Sequence, residues 1–562
     1  MTYKIQIHDR QYSSWDIYNS TTLEKVDIDV NPMTEKLMNN DIFTFDSSKV
    51  EITHSILQNT ERIQGVLVLV GKMYGKISKD KYLFRCIPDD KRLPEFLIPY
   101  KIKIHFKKKK CNKYILFKFL HWKEKHPRGT IIQILGDVTN LNSFYEYQLY
   151  CKSLYASIQE FTKKTMNVLR LKSSDYYIQT ILKKYKLENR QDWNIYSIDP
   201  NGSRDFDDAF SIYERGENIL LSIYISNVTI WLDTLNLWDS FSERIATIYL
   251  PDRKRPMLPT ILSDALCSLQ EKNIRFAFTL DLWIDMSGKI IKTNFLNTSI
   301  NLKKNYIYHE MDEKQEYKLL FETVAKMNTI ERQEYMVSLK DSHDIIAYLM
   351  IMMNFFSGKE LTKHKSGIFR SIKIGDVPKT PSHLPKTVQK FLKGWNSSGG
   401  KYVPYGGYCV HDLLKLDAYI HITSPIRRLI DLLNITNLQS KLGLFKHNHK
   451  SEQFMTKWNN RLDYINKTMR SIRKVQNDCS LLDKCIYIKN PIFSGYLFDK
   501  IMRSDGLFQY MVYLPDINMI NRFVTNIEYI CYKKYNFKIY IFMDEIRLKQ
   551  KLRVDIIFDN SI

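Results

Sequence analysis

Asp199-Pro200-Asn201-Gly202-Ser203-Arg204-Asp205-Phe206-Asp207-Asp208 places four carboxylates in ten residues, three of them in the last four. Like charges at that density repel at neutral pH. An ordered site that holds them together either raises some of their pKa values or neutralises them with a cation. Carboxylate oxygens suit Mg²⁺ or Mn²⁺, ions that keep waters and take substrate phosphate oxygens, so the segment points to phosphodiester chemistry. Pro200 and Gly202 shape a turn that lets Asp199 fold back toward the other three. In an extended stretch Asp205 and Asp207 share a face and Asp208 turns away. Convergence of all four therefore requires the chain to bend. A solvated acidic turn closed by Asx bonds has the same spacing, and spacing alone does not separate the two.

Outside this stretch, 562 residues are enough for three or four domains. A hydrophobic content of 44% and a charged content of 26% are those of an ordinary globular chain, neither disordered nor fibrous. The net charge of +23 sets up a field that captures polyanions, which leaves nucleic acid or an anionic membrane as the partner, or a basic surface that serves only solubility. The longest apolar run, 348–356, contains Asn354 and falls short of the roughly 20 residues a membrane helix needs. No membrane span is expected. The N-terminal residues lack the apolar core of a secretory signal, so an intracellular, cytoplasmic chain is expected. The eight cysteines have no Cys-x-x-Cys pair or zinc-like spacing and read as reduced thiols. Many Lys, Ile, Asn and Tyr beside few Ala suggest an AT-rich genome, such as that of a parasite or a large DNA virus, where host cytoplasm or virion would be the location.

Apolar alternation predicts strands at 3–7, 66–70, 81–86, 100–106 and 114–119, a pattern that fits two small β-barrels. Lys107 to Lys110, between Phe106 and Tyr114, is either a basic rim for a single strand or a charged hairpin tip. Residues 145–185 read as a helical connector. After the acidic stretch, 209–213 and 219–225 form a hairpin through 215–218, and a helix over 240–248 carries Tyr249 at its end. Helices follow near 317–327, 345–356, 387–392 and 429–442. Phe454, Trp458, Leu462, Ile465, Met469 and Ile472 recur at three- and four-residue spacing and predict one long amphipathic helix whose stripe faces the core. Strands resume at 494–497, 507–514, 539–542 and 552–558.

The acidic run 199–210 resembles the signature of the RNB exoribonucleases, the family of bacterial ribonucleases II and R and of the exonuclease half of the eukaryotic exosome's catalytic subunit. Further segments follow in the family's order: Ile-Tyr-Ile-Ser-Asn-Val at 223–228, Tyr-Leu-Pro-Asp-Arg-Lys-Arg-Pro-Met-Leu-Pro at 249–259, Leu-Ser-Asp-Ala-Leu-Cys-Ser-Leu at 262–269, and Tyr-Ile-His-Ile-Thr-Ser-Pro-Ile-Arg-Arg at 419–428 with Asp431. Residues 85–94 and 136–138 resemble the second cold-shock-like domain of the family, and the C-terminal strands resemble its S1 barrel by position. The resemblance implies a multidomain fold, an α+β RNB catalytic domain flanked by small OB-like β-barrels. Its parts would be a cold-shock-like domain at 1–65, a second at 66–150, the catalytic domain with its helical lead-in at 151–488, and an S1-like barrel at 489–562.

By the same resemblance Asp199, Asp205 and Asp208 bind metal, Asp207 is the carboxylate on which hydrolysis most depends, and Arg427 is the catalytic arginine. Arg370 and Arg428 become phosphate holders. Tyr249 stacks on nucleotides, and Tyr308 sits at the 3′ end, where the 2′-hydroxyl is sensed. The implied activity is processive 3′-to-5′ hydrolysis of single-stranded RNA to nucleoside 5′-monophosphates by two-metal catalysis with Mg²⁺, or Mn²⁺ in its place. The implied partners are RNA and other RNA-processing proteins, with a monomeric chain expected. The chain departs from the family at Asn227, where an aspartate is usual, at Ala347, where an acidic residue is usual, and at Asn434, where a histidine is usual. Ribose selectivity and rate are the properties these departures put at stake. They leave two other readings open: an RNB-fold scaffold that binds RNA without cutting it, and a DNA-directed metal nuclease.

Overall fold

The computed structural model describes residues 1–46, 49–101, 110–308, 310–311, 314–330, 339–374, 381–395, 399–488, 491–544 and 549–557. The chain divides into two compact units. One is Met1–Tyr155, Leu250–Asp252 and Val475–Ile562; the other is Ala156–Tyr249 and Arg253–Lys474.

Three sheets build the first unit. Thr2–Ile7 lies at the centre of a five-stranded antiparallel sheet with Trp15–Asn19, Lys25–Val26, Ile42–Asp46 and Lys49–His54. Its alternation puts Ile5 and Ile7 into a core shared with the next sheet. In that next sheet Ile63–Leu67 pairs with both Lys113–His121 and Lys81–Pro88, which closes the strands into a barrel completed by Phe96–Lys101 and Arg128–Asp137. The closure needs a glycine at 65, because a Cβ there would lie 2.7 Å from Cys86 Sγ and 2.9 Å from the Phe117 ring. Strands Ile492–Met502, Phe508–Leu514, Met519–Thr525, Lys534–Asp544 and Lys549–Ile556 form the third, antiparallel sheet. The expected strands are present: 66–70 is shifted to Ile63–Leu67, and the strand expected at 100–106 begins earlier, at Phe96, with 102–106 outside the described residues. Lys107 to Lys109, Phe106 and the end of the last expected strand at Phe558 lie outside the described residues.

The second unit is organised on a seven-stranded sheet. Its strands are β1 (Glu188–Arg190), β2 (Tyr196–Asp199), β3 (Asp208–Arg215), β4 (Asn218–Ser226), β5 (Ile274–Asp285), β6 (Ile290–Asn301) and β7 (Lys304–Ile307), in the spatial order β1-β6-β5-β4-β3-β2-β7. From β3 to β6 the chain is an antiparallel meander, with β1 and β7 added in parallel at β6 and β2. The predicted hairpin closes with Arg215 opposite Asn218, and Gly216 takes the turn at φ +63°. After Asn218 every residue of β4 is buried, so its sequence runs apolar instead of alternating, as in strands covered on both faces. The covering helices include α1 (Val228–Thr234), α2 (Gln315–Ile330), α3 (Ser342–Lys363) and α4 (Leu429–Lys441).

Two helix expectations fail. Residues 241–247 form no helix, because their backbone pairs elsewhere: Thr247 N donates to Arg427 O at 2.9 Å, and Leu429 N donates to Ile245 O at 2.9 Å. A tertiary partner therefore outweighs local periodicity. The stripe from Phe454 to Ile472 is two helices, His449–Asn459 and Leu462–Ile486, interrupted at consecutive asparagines, residues that compete with helical hydrogen bonding.

Candidate active site

β2 ends at Asp199 and β3 begins at Asp208, and the two strands are antiparallel neighbours with Tyr196 opposite Phe210. The loop 200–207 therefore returns the chain beside its own starting point, which brings the first and last aspartates of the cluster to adjacent strand ends. Gly202 takes the turn at φ +82°. The return leg is fastened by Ser268, whose hydroxyl accepts from Phe206 N at 3.0 Å and donates to Arg204 O at 2.8 Å, while Leu269 N donates to Phe206 O at 3.0 Å. The recognisable Leu-Cys-Ser-Leu run thus shapes the loop from outside it.

Asp199, Asp205, Asp207 and Asp208 line one cavity of about 750 Å³ together with Tyr249, Lys254, Asp264, Tyr308, His343, Ala347 and Arg427. Asp207 is 3% exposed. Its Oδ1 accepts from Ile426 N at 3.0 Å and its Oδ2 from Arg427 Nε at 3.0 Å. The turn presenting Arg427 is held from behind by Asp431, in the first turn of α4, which accepts from Ser424 N at 2.8 Å. Asp205 is clasped on both oxygens: Oδ2 accepts from the Tyr249 hydroxyl and Oδ1 from Lys254 Nζ, each at 3.0 Å. By contrast, Asp199 Oδ2 is buried and meets no donor, and among the described residues no side chain hydrogen-bonds the Asp208 carboxylate.

The electrostatics follow from that division. Burial raises Asp199 to about 6, with Ser197 and Arg427 pulling the other way. Burial also raises Asp207 to about 7, against the lowering influence of Arg427 and the Ile426 amide. Asp208 is raised by burial and then by the charges of Asp199 and Asp207. Two under-compensated carboxylates on adjacent strand ends fit a divalent cation, which supplies the positive partner that the protein withholds. No three of the four aspartates bring oxygens within 4.8 Å of one another; among the described residues the His and carboxylate groups that do so are Asp341, His343 and Asp344 at the start of α3, where Asp341 caps the helix through Asp344 N. Asp199, Asp205 and Asp208 therefore do not close on a single ion in this arrangement.

The remaining expected residues divide. Tyr249 is 40% exposed and leaves ring surface at the cavity, and Tyr308 packs its ring 5.4 Å from that of His343. Arg370 and Arg428 are absent from the cavity lining. Arg370 donates to Gly400 O and lies 5.1 Å over the Tyr402 ring, and Arg428 pairs with Asp431 at 2.8 Å. Neither is brought to the aspartates. Of the departures, only Ala347 lines the cavity. Asn227 caps α1 and is hydrogen-bonded to Asn297 and Gln439, fully buried, and Asn434 bonds Ile368 and the His421 carbonyl. Lys254, Asp264, His343 and Ser268 went unremarked in the sequence. For Lys254 and Asp264 a signal was present, a base and an acid ten residues apart inside the two most recognisable segments.

A meandering α+β domain with an acidic strand-end cavity, in a chain that also carries a closed cold-shock-like barrel, is the architecture of RNB nucleases. Residues 188–336 match the RNB domain and residues 83–147 match the Dis3-like cold-shock domain 2. The chain therefore carries matches to both domains, in the order cold-shock then RNB. It is 26% identical over 458 aligned residues to ribonuclease R of Chlamydia muridarum, a match covering 68% of this chain and 63% of that protein, so it spans less than two thirds of the relative's length. Its fold is that of Mycoplasma genitalium RNase R, solved with ribose-methylated single-stranded RNA, at a TM-score of 0.68 and 15% identity over 99% of this chain and all of that one. It is also similar to yeast Ssd1, a pseudonuclease, at a TM-score of 0.57 and 13% identity over 93% of this chain and 78% of that one.

Proposed function

We propose that the chain is a divalent-metal-dependent exoribonuclease that processively hydrolyses single-stranded RNA from its 3′ end and releases nucleoside 5′-monophosphates. The observation that carries this reading is the gathering of all four aspartates, Arg427, Tyr249 and Tyr308 around one cavity. In each turnover the oxygen of a water bonds to phosphorus, the P–O3′ bond breaks, and the shortened strand keeps the 3′ oxygen as a hydroxyl. Mg²⁺, or Mn²⁺ in its place, would supply Lewis-acid activation of the water and relief of phosphate charge, with Asp199 and Asp208 as the residues to hold it.

The rest of the work belongs to the side chains. Asp207 fixes Arg427 through Nε, which leaves the two terminal nitrogens of the guanidinium for the non-bridging oxygens, where charge accumulates. The exposed Tyr249 ring offers a stacking face that accepts any base, as a strand moving through the site requires. Tyr308 and His343 form the wall suited to the terminal nucleoside. The surplus of cationic residues favours capture of the polyanion.

The test is incubation of the chain with 5′-labelled single-stranded RNA and Mg²⁺. Shortening from the 3′ end to mononucleotides is expected, and Asp207→Asn should cut the rate by about 100-fold or more while RNA binding persists. An undiminished rate in that variant defeats the reading. A non-cutting RNA scaffold is the second reading, favoured by Ala347, which lines the cavity beside Ile346 and Met350 at the position where the resemblance implies an acid; it expects tight binding and no metal-dependent release. Oligonucleotides ending in 3′-deoxyribose distinguish a DNA-directed nuclease.

A further inference from the structure

Lys254 has no place in the scheme just given, yet its ammonium stands inside the acidic cavity. The paired strands Ile248–Tyr249 and Lys254–Arg255 set Tyr249 directly opposite Lys254, so one short hairpin delivers both groups to Asp205. Lys254 Nζ lies 3.0 Å from Asp205 Oδ1 and 2.9 Å from Asp264 Oδ1, and Asp264 is itself bonded by the Ser263 hydroxyl at 2.5 Å. These three charged side chains are mostly buried, at 25%, 13% and 20% exposure for Lys254, Asp205 and Asp264. They form a bridged acid-base-acid triplet with little water to screen it.

A two-metal site needs carboxylate oxygens for both ions, which lie about 3.5–4 Å apart. Asp205 has both oxygens engaged by the chain's own donors, and Asp207 has both engaged by Ile426 N and Arg427. Asp199 and Asp208 are left. Two carboxylates with waters and a substrate phosphate oxygen are the usual complement of one Mg²⁺.

We propose that Lys254 is a resident cation of this site, holding Asp205 where a second divalent ion would otherwise stand, so that the cavity takes one divalent ion and not two. The inference rests on the nuclease reading for its setting and concerns how the charge of that cavity is balanced. Lys254 is a positioning residue: it acts through Asp205, fixing that carboxylate and, with it, the Tyr249 ring.

The test counts Mn²⁺ bound to the full chain, without RNA or turnover, by electron paramagnetic resonance titration. The native chain should bind one Mn²⁺. Lys254→Met, which releases Asp205, should bind two. Asp205→Asn should keep the affinity of the native site within about twofold, while Asp199→Asn and Asp208→Asn each weaken it about tenfold or more. Two ions of similar affinity in the native chain, one unchanged ion in Lys254→Met, or a large loss of affinity in Asp205→Asn would each overturn the inference. If Lys254→Met fails to fold, the three aspartate variants decide it alone. A native chain that binds no Mn²⁺ and leaves RNA intact overturns the nuclease reading itself, whereas two ions with RNA cleavage overturn only the role of Lys254.

Discussion

Asp207 joins parts of the second unit that lie 219 residues apart in sequence, and its exposure of 3% comes from that junction. A similar economy governs His411, whose ring is 7% exposed and accepts a bond from Leu414 N. Burial lowers it to about 4, with Arg370 adding to the effect and Asp412 opposing it. The folded chain therefore keeps this ring neutral, while the unfolded chain protonates it below about 6.5. Stability is independent of this group above that value and is lost as pH falls from about 6.5 toward 4. His411→Asn keeps an acceptor and cannot titrate, so its thermal midpoint should fall less steeply over that window; parallel slopes would contradict the assignment. At this scale the tetrad was legible because four carboxylates in ten residues announce themselves, and Arg427 because it stands in a recognisable run. His343 and Ser268 were not, since a histidine and a serine acquire meaning only from partners that the fold supplies, Tyr308 in one case and the backbone of 204–206 in the other.

Among the elements, β1 shows how an edge is secured. Arg190 meets Asp281 of β5 through two bonds of 2.8 and 2.7 Å, Ser222 of β4 donates to the same carboxylate at 2.6 Å, and the guanidinium lies 4.2 Å over the Trp193 ring. Both ions are almost fully buried, at 2% and 7%. Arg190→Met leaves Asp281 charged and unpaired in the sheet, and should lower stability by about 3–5 kcal/mol in denaturant titration. A loss under about 1 kcal/mol would mean that the pair is not buried as described. Strand and helix identity were readable where an apolar run was long, as in 219–225 and 345–356, with length separating the strand from the helix. Residues 240–248 misled because Phe241, Ile245 and Ile248 carry a helix-like spacing, yet the backbone of 245–247 is taken by the Arg427 segment. Asn227 misled in another way: a residue that looks like a missing site carboxylate is a helix cap in a buried amide network.

On the scale of the whole chain, a charge of +23 would make the proposed RNA capture a matter of counterion release. If about four phosphates are contacted, affinity for a single strand should fall about 50-fold between 50 and 200 mM salt. A slope near zero in filter binding would remove the electrostatic part of the account. Within the first unit, Lys549 of the last sheet is 8% exposed and reaches Asp89 and, at 3.5 Å, the Cys151 thiol, so the C-terminal strands and the closed barrel share a buried ion pair. Composition announced the charge; nothing in the sequence announced that pairing, which spans most of the chain's length.

The barrel around Gly65 has one more consequence. Because Gly65 to Leu67 are paired with a strand on both sides, that stretch has no unsatisfied rail of amides and carbonyls to offer a visiting peptide. Whatever docks against that stretch must recognise side chains alone, because its backbone is not available to template another strand.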